Sequence, residues 1–206
     1  MRKPAAFRRV EPDARRQSLI DACLTVLARD GAGKASVRVI AAEAGVSPGL
    51  VGHYFPAVDD LVAAAYAAVG ARVDAALDAA LAQAGDQPLA RVKALVSASF
   101  EAPLADPELL ATWIAFWSLV RSREDIGQQH RQQYAAFRGR LEQELAACGV
   151  PAARCPALAI TLTALVDGLW LELCLSPDVL TGTEAAAMAC DATERLVGAA
   201  ERKSKP

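Results

Sequence analysis

The stretch from Ser36 to Phe55, SVRVIAAEAGVSPGLVGHYF, constrains the fold of this chain more than any other. It holds two short apolar-periodic runs parted by Gly45, and each run opens on a serine. Ser36 suits the N-cap of a helix from Val37 to Ala44, because its side-chain oxygen can accept an otherwise unpaired N–H of the first turn. Ser47 suits the same place before a second helix that ends near Phe55, with Pro48 at the first helical position, where its missing N–H costs nothing. Gly45 supplies the positive φ that so tight a turn needs. Ile40, Val46, Val51 and Phe55 fall where they can be buried, and Ala41 is small where the helices must approach. Ser47, Pro48, Leu50, His53 and Tyr54 then stand outward. A helix whose N-terminal turns protrude in this way has the shape that enters a DNA major groove.

The rest of the chain reads as helix. Leu19, Ile20, Cys23, Leu24 and Leu27 recur at helical spacing between Asp13 and Arg29, and Asp30-Gly31 with Gly33 ends that run. Beyond Pro56, helices are expected over 59–83, 88–102, 107–121, 124–148, 152–175 and 183–201. The breaks fall at Gly85-Asp86, Pro103, Ser122-Arg123, Gly149-Val150-Pro151 and Ser176-Pro177. Asp59 and Asp60 favour a helix start there, at the positive end of the helix dipole. Hydrophobic residues make up 53% of the chain, enough for a sizeable core, and they are mostly the helix formers Ala and Leu along with Val. The expected fold class is all-α: an N-terminal three-helix unit with a helix-turn-helix, followed by a helical bundle.

Net charge is −2, which by itself argues against a nucleic-acid partner, but its distribution does not. Residues 1–55 hold nine Lys/Arg against five Asp/Glu, whereas residues 56–206 hold thirteen against nineteen. Only the N-terminal quarter therefore suits an anionic partner. Five cysteines (Cys23, Cys148, Cys155, Cys174, Cys190), odd in number and without a Cys-x-x-Cys pair, fit a reduced thiol set in the cytoplasm. The basic start has no apolar stretch after it, so no signal peptide is indicated. Residues 157–175 are apolar but carry Asp167 and Glu172, which favours a buried helix over a membrane span. An enzyme is disfavoured. His53 and His130 lie in different elements, and no nucleophile elbow, zincin motif, Walker loop or dinucleotide fingerprint occurs. No catalytic residue, metal site or cofactor is expected. A helical carrier would account for the bundle but not for the basic N-terminus with its tight turn.

From the first helix through Leu61, the chain resembles the TetR family of transcriptional regulators. The resemblance rests on Asp30-Gly31, Ser36, Ile40-Ala41, Ala44-Gly45-Val46-Ser47, Gly49 and His53-Tyr54-Phe55. It implies a DNA-binding domain over 13–60 and a ligand-binding and dimerisation domain over 61–206, preceded by residues 1–12, whose Pro4, Pro12 and several arginines read as a flexible basic arm. Ser36, Arg38, Ser47 and Tyr54 are candidates for phosphate contacts, and His53 for phosphate or a base edge. Leu50 could meet a thymine methyl, and Pro48 and Gly49 belong to the same protruding turn. Arg8 and Arg9 of the arm could add groove or phosphate contacts. Family members often carry Tyr at the place of Gly52 and Lys near Val58. This chain lacks both, leaving the phosphate grip weaker or taken over by Arg38 and the arm.

Trp113-Ile114-Ala115-Phe116-Trp117 and Leu165-Val166-Asp167-Gly168-Leu169-Trp170-Leu171 resemble segments of the BetI-type branch, whose members control choline-to-glycine-betaine genes and respond to choline. That branch implies a repressor induced by choline or another quaternary ammonium; a TetR-type repressor of efflux or catabolism with a different inducer is the alternative. Trp113 and Trp117, four residues apart, share one helical face, and Trp170 adds a third indole from another helix. Aromatic faces attract a quaternary ammonium by roughly 0.5–2 kcal/mol each. The same spacing equally suits a packed core. Glu101, Asp106, Glu108, Asp167 or Glu172 could supply a counter-charge. The family commonly dimerises through its last two helices. A homodimer also has an independent motive, since one short recognition helix binds weakly and a twofold dimer reads a palindromic operator.

Overall fold

The computed structural model of the chain describes residues 12–202, with side chains through Ala200. Among these residues nine α-helices and no strand are present: α1 (Pro12–Asp30), α2 (Val37–Glu43), α3 (Pro48–Tyr54), α4 (Val58–Gln83), α5 (Pro88–Ser97), α6 (Pro107–Leu119), α7 (Glu124–Ala147), α8 (Cys155–Leu175) and α9 (Gly182–Arg202). The arm expected over 1–12, with Arg8 and Arg9, lies outside the described residues except for Pro12, which opens α1.

Local chemistry sets the N-terminal unit. The Ser36 hydroxyl accepts the Val39 N–H at 3.4 Å, and the Ser47 hydroxyl accepts the Leu50 N–H at 3.3 Å. Each cap satisfies a donor that the first helical turn leaves open. Gly45 sits at φ 65°, and two hydrogen bonds run back from the turn into α2. The Gly45 N–H donates to the Ala42 carbonyl at 3.2 Å, and the Val46 N–H donates to the Ala41 carbonyl at 2.9 Å. This pair of back-bonds is the Schellman closure, and it requires the left-handed residue that glycine supplies most cheaply. Ile40, Ala41, Val51 and Phe55 are buried with Leu19, Cys23 and Leu27 of α1, while Val46 is only half-buried. Burial pushes the Cys23 thiol up to about 12, so it stays protonated and packs as a small hydrophobe.

The three-helix unit is fused to the bundle rather than tethered to it. α1 packs on α4 and α6 as well as on α2. In the bundle, α5 packs on α7 and α9, and α8 packs on α6, α7 and α9. Ion pairs cross the junction: Arg72 meets Asp21 at 3.0 Å, and Arg123, at the start of α7, meets Asp59 at 2.8 Å. α8 is long and apolar enough to cross a membrane, yet eight of its residues are buried within the fold. It leaves Ile160, Leu171 and Leu175 exposed, and Met188 of α9 is exposed as well.

Two helix limits differ from the sequence expectation by three residues or more. α5 stops at Ser97 and tightens into a 3-10 turn over Ala98–Phe100. The following Glu101 is extended, and Pro103 restricts the backbone before it. α8 starts at Cys155 rather than at 152 because Pro156, lacking an N–H, is tolerated only in a first turn.

Replacing Gly45 with Ala forces a Cβ into the left-handed region although no neighbour crowds the site. The expected loss is about 1 kcal/mol of unfolding free energy, measured by denaturant titration. An unchanged midpoint would show that the turn tolerates a side chain.

Candidate functional site

The outward surface of α3 is bare. Ser47, Pro48, Gly49, Gly52 and His53 are exposed, Leu50 and Tyr54 are half-buried, and Val51 points into the core. Nothing lies within 4 Å of where a side chain at Gly49 or Gly52 would begin, so a duplex could approach the helix backbone there. The His53 and Tyr54 rings meet edge to face at 5.2 Å. Ser36 and Arg38 stand exposed at the start of α2. All eight residues singled out for DNA contact therefore lie on the paired α2–α3 segment. Arg16 was not anticipated: its guanidinium lies 4.9 Å over the Phe55 ring at the foot of α3. No helical spacing links the two residues, so no local signal pointed to that contact.

The second site is a cavity, open to solvent at its mouth, between α4, α6, α7 and α8. Trp113 and Trp170 both line it, with ring centroids 6.1 Å apart. Tyr134 and Phe137 of α7 complete the aromatic wall. Trp170 is held by its indole N–H, which donates to the Ser99 carbonyl at 2.7 Å. Trp117 does not line the cavity. It stands behind Tyr134 and donates its indole N–H to the Tyr134 hydroxyl at 3.3 Å. Tyr134 in turn donates to Asp167 Oδ1 at 3.1 Å. The three tryptophans thus divide into two wall residues and one that orients the wall.

Of the carboxylates considered as counter-charges, only Asp167 lines the cavity. Asp106 caps α6, accepting the N–H groups of Glu108 and Leu109, while Glu101, Glu108 and Glu172 are exposed elsewhere. Asp167 has no ion-pair partner among the described residues. Burial pushes its pKa up to about 6, against the opposing pull of the Tyr134 hydrogen bond and the charge of Arg138. Burial likewise raises the Tyr134 phenol, and the neighbouring Asp167 charge adds to it. A second carboxylate, Asp74 of α4, also lines the cavity but pairs with Arg140 at 3.3 Å. Asp74, Tyr134 and Phe137 escaped the sequence reading because they sit on helices whose other faces are solvated. Such a wall suits a small cation: aromatic faces around it and one uncompensated carboxylate at its edge.

An all-helical fold with a protruding helix-turn-helix and a separate cation-suited cavity defines a one-component DNA-binding regulator. Residues 19–65 match the bacterial regulatory proteins of the tetR family, and residues 88–198 match the C-terminal domain of BetI-type transcriptional repressors. The chain belongs to the TetR family and carries the BetI-type C-terminal domain; it is a transcriptional regulator, not an enzyme. It is 32% identical to the HTH-type transcriptional regulator BetI of Burkholderia mallei over 90% of this chain and 94% of that one. A transcriptional regulator from Pseudomonas aeruginosa PAO1 superposes with a TM-score of 0.85 and 41% identity, covering 98% of this chain and 99% of that one. A regulator from Saccharomonospora viridis, solved in complex with choline, shares the fold at a TM-score of 0.74 and 20% identity, covering 87% of this chain and 95% of that one.

Because folding raises the Asp167 pKa from 3.8 to about 6, the folded chain binds the proton more tightly than the unfolded chain. Stability is therefore lost as pH climbs through that interval. Asp167→Asn, which can still accept from Tyr134, removes the loss. Thermal melting should show the variant above the wild type at neutral pH, with the gap closing towards pH 4. A wild type that melts higher than the variant at neutral pH would contradict the burial cost.

Proposed function

We propose that this chain is a homodimeric repressor of choline and glycine-betaine genes whose hold on a palindromic operator is released by choline or a closely related quaternary ammonium. The observation that carries the reading is Asp167, a carboxylate without an ion-pair partner among the described residues, set in a cavity walled by Trp113, Trp170, Tyr134 and Phe137. A trimethylammonium group would neutralise that charge while its methyl groups meet the ring faces, each worth about 0.5–2 kcal/mol. The choline bound to the Saccharomonospora viridis regulator and the BetI-type C-terminal match support the same ligand.

Residues 13–60 serve as the DNA-reading domain and residues 61–206 as the ligand and dimerisation domain. Ser36, Arg38, Ser47 and Tyr54 position the head on phosphates, Leu50 and His53 face base edges, and Pro48 and Gly49 let the turn enter the groove. Dimerisation covers the apolar face that α8 and α9 leave exposed. Ile160 is 58% exposed, Leu175 70% and Met188 52%, with the small residues Ala157, Ala164 and Gly168 between them allowing close helix approach. The protein acts in the cytoplasm, where its operator lies.

In the dimer the two reading helices sit one turn of DNA apart, about 34–36 Å. Ligand favours a state with a different spacing, reached through α4, which lines the cavity with Gly70, Val73, Asp74 and Leu77 and carries the head at its other end. The ligand can shift this balance only by its difference in affinity for the two states.

An operator titration followed by fluorescence anisotropy tests the reading. Affinity for the operator should fall steeply with salt and fall again when choline is added. Trp170→Ala should keep operator binding and lose the response to choline. Operator affinity unmoved by choline in the wild type would sink the choline reading, and no binding to the DNA flanking the gene would sink the repressor.

A further inference from the structure

The cavity holds a polar group that the cation argument leaves unused. Gln133 of α7 lines the same wall as Asp167, and its amide crosses to α4 and rests against the bare Cα of Gly70. A Cβ at position 70 would fall inside that amide, with the Gln133 Cδ only 2.6 Å away. Gly70 therefore exists as a notch that Gln133 fills. It is a costly choice in the middle of a long helix, where glycine is about 1 kcal/mol worse than alanine.

The amide offers two donors and one acceptor, and none of them bonds another described residue. Most other polar groups on the wall are committed. The Thr163 hydroxyl donates to the Ala159 carbonyl at 2.8 Å, Tyr134 donates to Asp167, and Asp74 pairs with Arg140. Two other neutral groups there are uncommitted: the Ser99 hydroxyl, which at a helix end readily turns back onto its own backbone, and the Trp113 indole N–H, which is buried without a partner among the described residues but can only donate. The unpaired Asp167 makes the cavity hostile to a ligand that carries a carboxylate of its own.

We infer that Gln133, held in the Gly70 notch, is the specificity residue that hydrogen-bonds a neutral polar tail on the ligand, so that the site selects a hydroxyl-bearing quaternary ammonium over an isosteric alkyl one and over a carboxylate-bearing one. The inference rests on the quaternary-ammonium reading of the cavity and adds the group that reads the rest of the molecule. A site that hydrogen-bonds a hydroxyl discriminates in this way because the analogue lacking the hydroxyl forgoes that bond.

Calorimetric titration of the full chain with choline, propyltrimethylammonium and glycine betaine tests it. Wild type should bind choline most tightly and glycine betaine least. Gln133→Leu should weaken choline about ten-fold, the loss of one hydrogen bond, and leave propyltrimethylammonium within about two-fold. Gly70→Ala, which expels the amide without removing it, should weaken choline in the same selective way, and thermal melts confirm that both variants fold. Equal weakening of both ammonium ions, unchanged choline binding in Gln133→Leu, or loss of the preference in Ser99→Ala instead would overturn the assignment to Gln133 while leaving the cation cage standing. Wild type that binds neither choline nor propyltrimethylammonium would overturn the cage itself, and the assignment with it.

Discussion

A single unbroken helix, α4, closes the three-helix head at one end and walls the cavity further along. At 26 residues it spans about 39 Å. Asp60 caps its start by accepting the Ala57 N–H at 3.0 Å, and Leu61, Val62, Ala65, Tyr66 and Val69 bury its first half. These apolar contacts, more than the exposed ion pairs at Asp21 and Asp59, hold head and bundle in register, because surface pairs contribute little. A packed helix can pass a displacement along its length rather than absorb it, and the proposed response needs pressure on Gly70 or Val73 to reach the head in that way. The regulatory mechanism proposed for the chain needs that continuity.

In the proposed function the cavity trades stability for recognition. Burying Asp167 without a cation partner is unfavourable, as its raised pKa records, whereas Asp74 nearby is relieved by Arg140. A chain selected for stability alone would do better with an uncharged residue at 167. The carboxylate is nonetheless held in one orientation by the Trp117–Tyr134–Asp167 chain of hydrogen bonds, so the proposed ligand would meet a site already arranged. Trp113 adds a second unrelieved cost: its indole N–H is buried without a partner among the described residues. Both costs fall on the wall of the same cavity.

Much of the head was legible before any coordinates. Ser36, Gly45 and Ser47 do what their neighbours within four residues require, so caps and turn follow from local sequence. The helix limits that slipped did so at Pro103 and Pro156, where proline chemistry overrides apolar periodicity. The cavity was half legible. Trp113 and Trp170 stood out as indoles on different helices, but nothing in the spacing of Trp113 and Trp117 told which faced the cavity. Nothing in the local sequence sets Asp74 apart on its Ala-rich helix, or Gln133 apart among the polar residues of α7.

What the sequence by itself determined is therefore the all-α class, the helix-turn-helix and its exposed face, since these depend on hydrogen bonds and periodicities that close within a few residues. Only the tertiary structure decided which aromatic rings share a wall, which carboxylate lacks a partner and which glycine makes room for a glutamine. Those relations join helices distant along the chain, and they arise only when packing brings the helices together and takes their polar groups out of water.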